Sequence, residues 1–396
     1  MRPRGETWFN TQVLINQNFG RLAIAACLLV GAAAAPAYAQ PAPPPPMRPA
    51  EPPTSLSGYM DANFTKREFE PAVLDFHRFV LLVTHRFSDR LRFVGELELE
   101  HALVEGLEEA GELELEQAYV DFLLRRAFNV RAGMMLVPVG IINERHEPPV
   151  FYGVHRPLVD TVIVPTTWFE TGVGVHGEVG RGWRYRVYVM APLNAAEFSA
   201  EEALRGGLQK GSRSNASRPA VTGRVEYVGL RGLTTGVSFW TGQSGFEFRP
   251  RFDVPVRVVE ADARWTRDRL ELRGQFAQIA IRNAGLLNEA LALRIGVDPN
   301  IARTARGFYL EAGYRVIEGA RWGDLGLFTR YENVDTQFRM PEGYTALPEF
   351  DRDGWTVGAT FWPDPDVAIK ADYTVLRSRS AFPASNTFAL GLGWWF

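Results

Sequence analysis

The chain has 396 residues, 46% hydrophobic and 22% charged, with a formal net charge of -3 and a mean hydropathy of -0.13. That average is too polar for a bundle of transmembrane helices, and the slightly acidic balance gives a nucleic-acid partner nothing to hold. A single cysteine, Cys27, excludes a disulfide framework within the chain.

In chain order, the first feature is an apolar run from Leu22 to Ala39, preceded by Arg2, Arg4 and Arg21 and closed by Ala37-Tyr38-Ala39. This is the layout of a secretory signal peptide with a small-x-small cleavage site, so residues 1–39 are expected to be removed on export. As a membrane anchor the run is poor, being rich in Ala and broken by Gly31 and Pro36. Cleavage would also take away Cys27. Residues 40–55 are dense in proline and are expected to form an extended periplasmic linker with no core of its own.

From Leu56 onward the pattern has period two. Phe388, Leu390, Leu392, Trp394 and Phe396 alternate with Thr387, Ala389, Gly391, Gly393 and Trp395, and Trp355, Val357, Ala359 and Phe361 alternate with Thr356, Gly358 and Thr360. Sixteen such segments are placed near residues 56, 75, 91, 112, 128, 167, 183, 220, 233, 254, 269, 305, 322, 352, 366 and 385. Their links alternate in length. Tight turns are read at 88–90, 125–127, 181–182, 229–232, 267–268, 319–321 and 364–365, and long connections at 138–165, 192–219, 283–304 and 335–351. A transmembrane barrel of even strand number has this asymmetry, with tight periplasmic turns and longer outside loops, whereas a β-sandwich has no reason to keep it. The expected fold class is all-β: over residues 56–396, a closed antiparallel transmembrane β-barrel of about 16 strands, with both chain ends periplasmic. In the 192–219 connection, Ser199-Ala200-Glu201-Glu202 resembles a capping box and Gly206-Gly207 a stop, which predicts a short surface helix. Trp183, Trp265, Trp322, Trp362, Trp394 and Trp395 near short turns or the C-terminus, and Trp168, Trp240 and Trp355 near long loops, read as two interfacial girdles.

The run Gly133-Met134-Met135-Leu136-Val137-Pro138-Val139-Gly140-Ile141-Ile142-Asn143-Glu144-Arg145-His146-Glu147-Pro148-Pro149, followed by Ile163-Val164-Pro165-Thr166-Thr167-Trp168, resembles the phosphate-selective porin O and P family. The closing Gly393-Trp394-Trp395-Phe396 looks like the terminal aromatic signal of outer-membrane proteins. The resemblance implies a porin in the outer membrane, usually a homotrimer, with residues 138–165 folded into the lumen as a constriction loop. It implies Phe396 as the signal read by the barrel-assembly machinery. The chain departs from the family in lysine content: it has only Lys66, Lys210 and Lys370, so the cluster associated with phosphate selection is not recognisable.

With the large apolar face of each strand turned to lipid, the lumenal cations are Arg78, Arg92, Arg131, Arg184, Arg186, Arg224, Arg264, Arg273, Arg315, Arg330 and Lys370, joined by Arg145, His146 and Arg156 from the constriction loop. Glu226, Glu260, Asp262, Glu271, Glu311 and Glu332 share those faces, so a salt-bridged inner wall is the alternative to an anion-attracting one. Glu96, Glu98 and Glu100 face Glu112, Glu114 and Glu116 as two acidic rows, and a wall countered by Arg is expected in place of a metal site. His146 and His155 show no metal-binding spacing and read as hydrogen-bonded braces. No cofactor is expected. The function expected is passive diffusion of small hydrophilic solutes with a modest preference for anions, phosphate among them. A general non-selective porin is the alternative, and a barrel enzyme or a soluble exported sugar-binding β protein is the alternative of another class. No GxSxG or Walker loop favours an enzyme.

Overall fold

The structure, a computed structural model, describes residues 52–102, 111–248, 252–380 and 385–396. The expected signal peptide and most of the proline-rich linker lie outside these residues, as does nearly all of the expected hairpin tip at 106–111. Among the described residues, sixteen antiparallel strands form one closed barrel in which every strand pairs with its sequence neighbours and the first pairs with the last. The strands are β1 (Thr54–Arg67), β2 (Ala72–Ser88), β3 (Leu91–Glu100), β4 (Leu113–Arg125), β5 (Phe128–Leu136), β6 (Phe169–Val179), β7 (Trp183–Met190) and β8 (Ala220–Tyr227). The second half comprises β9 (Leu233–Gln243), β10 (Pro255–Arg267), β11 (Leu270–Ile281), β12 (Thr304–Ala320), β13 (Gly323–Arg339), β14 (Asp351–Asp364), β15 (Val367–Ser378) and β16 (Ser385–Trp395). The first strand begins two residues before the expected position 56, since Thr54 and Ser55 already pair with His85 and Thr84.

Alternation sets the two faces. Val173, Val237, Val259, Leu310, Val357 and Leu390 point outward and are exposed, and their neighbours in sequence turn into the barrel. Closure uses the last residue: the Phe396 N–H donates to the Gly58 carbonyl at 2.9 Å and the Gly58 N–H to the Phe396 carbonyl at 3.1 Å. A glycine is needed opposite, since a Cβ on residue 58 would lie 2.1 Å from the Val80 carbonyl and 2.8 Å from the Phe396 ring. Gly172-Val173-Gly174-Val175-His176-Gly177 has the glycine spacing of a dinucleotide loop, yet it lies inside β6 and no helix follows it.

Two expectations change. The 192–219 connection has no α-helix, only single 3₁₀ turns at Ala195–Glu197 and Arg205–Gly207. The Ser199 hydroxyl does accept from the Glu202 N–H at 3.0 Å, but the Ser199 N–H then closes onto the Ala203 carbonyl at 3.2 Å. That bend turns Phe198, Ala203 and Leu204 into the barrel, where they are buried. The α-helix occurs instead at α1 (Ala284–Ile295), where Leu287 and Leu291 are buried one turn apart and Gly296, at φ +77°, ends the helix. Asn288 locks it in place, donating to the Ile301 carbonyl at 3.0 Å and accepting from the Ile301 N–H at 2.8 Å.

The girdle reading also needs correction. Trp183, Trp322 and Trp355 are exposed on the outer surface, but Trp168 and Trp240 pack together inside at 5.5 Å between ring centres. Trp362 turns inward onto Tyr152, and the Trp395 indole N–H donates to Asp366. Alternation separates two faces of a strand without saying which apolar face meets lipid and which meets an inward-folded loop.

Deleting Phe396 removes both seam hydrogen bonds to Gly58. The folded fraction recovered from membranes, read from heat-modifiable electrophoretic mobility, should fall severely, and an unchanged yield would show that the seam closes without it.

Candidate functional site

The 137–168 connection is clasped at its base by one side chain. The Asn143 amide donates to the Val137 carbonyl at 2.7 Å and the Trp168 carbonyl at 2.8 Å, while its oxygen accepts from the Trp168 N–H at 2.7 Å. From this clasp the chain runs into the barrel and docks on the inner wall. The Lys370 ammonium donates to the carbonyls of Pro148, Phe151 and Gly153 at 2.5, 2.6 and 2.8 Å. The Val154 N–H donates to Asp372 and the Leu158 N–H to Glu332, both at 2.6 Å, and the Arg273 guanidinium donates to the Val150 carbonyl at 2.8 Å. Gly140, at φ +85°, fits where a Cβ would crowd Asp160 at 3.2 Å and Gln275 at 3.3 Å.

This loop is not alone inside. Val137, Val139, Val159 and Ile163 form one buried cluster with Leu193 and Leu204 from the next long connection and with Leu287 and Leu291 of α1. Hydrophobic burial therefore fixes the loop beside its polar docking points. The Arg205 guanidinium adds a tie between the two connections, donating to the Thr161 carbonyl at 3.0 and 3.1 Å.

The wall around the loop is paired. Arg78 meets Glu98 at 3.4 Å and Glu100 at 3.0 Å, and Lys210 reaches Glu112 at 3.0 Å and also contacts Glu114. Asp121, fully buried, accepts from Arg131 at 2.7 and 3.0 Å and from Arg92 at 2.8 Å. Arg184 pairs with Glu178 at 3.1 Å, and Arg186 with Glu144 at 3.2 Å and Glu226 at 3.1 Å. Arg224 pairs with Glu226 at 3.0 Å, Glu260 at 3.2 Å and Asp262 at 2.6 Å. Arg264 and Arg273 share Glu271 at 3.0 and 2.5 Å, Arg315 pairs with Asp324 at 2.6 Å, and Arg330 with Glu311 and Glu332 at 3.4 Å each. Low-dielectric surroundings make such pairing obligatory, because a buried lone charge costs several kcal/mol.

The three loop residues singled out by sequence separate. His146 turns away from the lumen and is buried against the wall, with its ring nitrogens 3.0 Å from the Asn143 carbonyl and 3.1 Å from Glu116. Arg156 is a brace, donating to the His146 carbonyl at 3.3 Å and the Thr166 hydroxyl at 3.4 Å. The Arg145 N–H donates to the Ile142 carbonyl at 2.7 Å, and its guanidinium makes no hydrogen bond or ion pair with the described residues. It lines a cavity together with Arg224, Arg264 and Arg273 and with Glu144, Glu226 and Asp262, four guanidinium groups against three carboxylates. Glu260 and Glu271 also contact these arginines, so the charges around the cavity are close to balanced, and Arg145 is the lining guanidinium that no carboxylate of the described residues contacts.

Two measurements follow. Asp121→Ala strands Arg92 and Arg131, so the barrel should lose about 3–5 kcal/mol of stability in urea unfolding, with Asp121→Asn less affected. Asp160, on the loop, is pushed up by burial to about 7, against the opposing pull of the Gln275 amide that donates to it at 2.9 Å. The docked loop thus keeps a proton that an undocked one, with the ordinary value of 3.8, gives up. Docking is fully favoured below 3.8 and weakens as pH rises through about 7. Hydrogen exchange at 157–166 should accelerate across that window beyond the intrinsic chemistry, and Asp160→Asn should abolish the excess.

Comparison with solved structures finds barrels of the same form. The anion-selective porin from Comamonas acidovorans superimposes with a TM-score of 0.56 at 12% identity, over 87% of this chain and 99% of that one. The outer-membrane channel DcaP of Acinetobacter baumannii gives 0.56 at 10% identity, over 87% and 97%. The trimer form of OmpT, an outer-membrane protein of Vibrio cholerae, gives 0.52 at 12% identity, over 87% and 99%. At these identities the likeness establishes the fold, that of outer-membrane porin barrels. No sequence-family profile matches the chain. An uncharacterized protein of Aquifex aeolicus is 33% identical over 328 residues, 81% of this chain and 74% of that one, and with that extent of identity the chain belongs to the same family as the Aquifex protein.

Proposed function

We propose that this protein is an outer-membrane porin, a passive diffusion channel for small hydrophilic solutes with a modest preference for anions. The observation that carries the reading is Arg145, whose guanidinium has no ion pair among the described residues, on an inward-folded loop at a cavity whose other charges are paired. A cation there acts on a permeating ion at short range, where a unit charge about 4 Å away contributes roughly 1 kcal/mol in water and about 4 at intermediate dielectric. Wall pairs contribute far less, since each guanidinium is cancelled by its carboxylate within contact distance.

The rest of the proposal follows the sequence. Residues 1–39 direct export, residues 40 to about 53 span the periplasmic side, Phe396 is read by the assembly machinery, and the barrel assembles as a homotrimer. Phosphate is the first anion to test, given the resemblance of residues 133–168 to the phosphate-selective porins. The porin from Comamonas acidovorans that shares this fold is anion-selective, which points the same way.

Reversal potentials in planar bilayers under a potassium chloride gradient test the proposal. The native channel should favour chloride, phosphate should reduce chloride current, and Arg145→Glu should shift the permeability ratio toward cations by about five-fold or more. A cation-selective native channel would overturn the anion preference, and no conductance at all would overturn the porin reading.

A further inference from the structure

Glu116 occupies a bulge. Between β3 and β4, Glu96 pairs with Gln117 and the next residue, Leu97, pairs with Leu115, which leaves Glu116 with no partner of its own across the ladder. A bulge re-aims the extra side chain, and here it brings the Glu116 carboxylate to His146 of the docked loop, at 3.1 Å. Glu96 completes the group. One ligand atom from each of Glu96, Glu116 and His146 lies within 4.8 Å of the others, and all three residues are buried.

The hydrogen bonding around this cluster is incomplete in a specific way. His146 Nδ1 lies 3.0 Å from the Asn143 carbonyl, which can only accept, so Nδ1 carries the hydrogen. The lone pair of the neutral ring is then on Nε2, and it faces a carboxylate. Among the described residues, neither Glu116 oxygen nor His146 Nε2 has a hydrogen bond of acceptable geometry, although the Thr167 hydroxyl lies near Glu116. Glu98 Oε2 and the Tyr59 hydroxyl are also buried without a hydrogen-bond partner among the described residues, and the Tyr59 ring meets the His146 ring edge-on at 6.1 Å. Three carboxylates, Glu96, Glu98 and Glu116, stand against one guanidinium, Arg78, which already pairs with Glu98 and Glu100. Two facing lone pairs in an excess of negative charge require a positive group between them.

We propose that Glu96, Glu116 and His146 form a site for one divalent transition-metal cation, zinc in class, that ties the constriction loop to the barrel wall. The donor set suits this class: two carboxylate oxygens and one imidazole nitrogen whose second nitrogen is oriented by a backbone carbonyl. Calcium, which takes six to eight oxygens, does not fit a set of three that includes nitrogen. The loop's His146 is one ligand and the other two sit on adjacent strands, so the cation acts as a clamp on the loop. The site stands independently of what the channel conducts.

The competing occupant is a proton on His146, and the test separates the two. The full chain is refolded in detergent with zinc, manganese or calcium, freed of excess metal by gel filtration, and its bound metal measured by plasma mass spectrometry. About one zinc or manganese per chain is expected, with X-ray absorption showing a single imidazole ligand. His146→Gln and Glu116→Gln should each bind less than about a tenth of this while keeping the folded electrophoretic form. Should either fail to fold, Glu96→Gln is the second variant, and it should lower zinc affinity at least ten-fold. Native protein that refolds without retaining zinc or manganese, metal retained equally by the variants, or calcium retained in preference to zinc would each overturn the proposal.

Discussion

Backbone hydrogen bonding inside a bilayer is the constraint on which this structure depends. With no water in the hydrocarbon, each unpaired N–H or C=O costs several kcal/mol, so a sheet can cross only if it has no edge. The chain meets that demand with an uninterrupted ladder from β1 round to β16 and back. The seam is finished by the terminal residue itself, through the paired bonds between Phe396 and Gly58. Once the ladder is closed, every second side chain is committed to lipid and every other one to the interior, and the two solvents then dictate composition face by face.

The interior raises the opposite difficulty. A lumenal face rich in Arg, Glu and Asp is stable only if its charges stay wet or are paired, and several of these groups are buried. Asp121, Glu260, Arg224 and Arg330 are all nearly inaccessible, and each contacts an opposite charge. The inward-folded loop contributes to this balance. Its carbonyls are the partners of the Lys370 ammonium, and its N–H groups supply donors to Asp372 and Glu332. Docking the loop and satisfying the wall are thus one event, reinforced by the apolar cluster that the loop shares with α1 and the 191–219 connection.

This division also explains what the sequence conveyed. Strand positions are legible because period-two alternation and short turns are local; each of the sixteen expected positions lies within about three residues of the start of an observed strand. The helix was misplaced because its evidence was not local. Asn283 precedes α1 in a left-handed conformation and gives no side-chain cap, whereas Ser199 caps a turn that tertiary burial then bends back on itself. Trp168 and Trp240 were assigned to a girdle because a loop folding inward creates an apolar surface inside the barrel that looks, in sequence, like the one outside. The contact between Glu116 and His146 was not legible at all. It depends on one bulge residue and on where a distant loop docks, and neither leaves a mark in residue spacing.

Charge pairing also bears on the proposed selectivity. The acidic rows Glu96, Glu98, Glu100 and Glu112, Glu114, Glu116 stand apart along the chain from the arginines of later strands, a separation that would set a field across the lumen if those charges were unpaired. The structure interleaves carboxylates with those arginines at contact distance, so at a Debye length of about 8–10 Å most of the wall presents dipoles whose fields die away within the channel. The acidic strands are answered in part, by Arg78 at Glu98 and Glu100 and by Lys210 at Glu112 and Glu114, and the remaining carboxylates, Glu96 and Glu116, are buried beside His146 of the docked loop. A field that survives pairing and screening must come from a group without a contact partner, placed where a solute passes close to it. Arg145 meets both conditions, and it is on a loop whose position is set by its docking to the wall. On the proposed channel reading, selectivity is therefore a property of loop placement: whatever holds residues 137–168 against the wall also holds the Arg145 guanidinium in place.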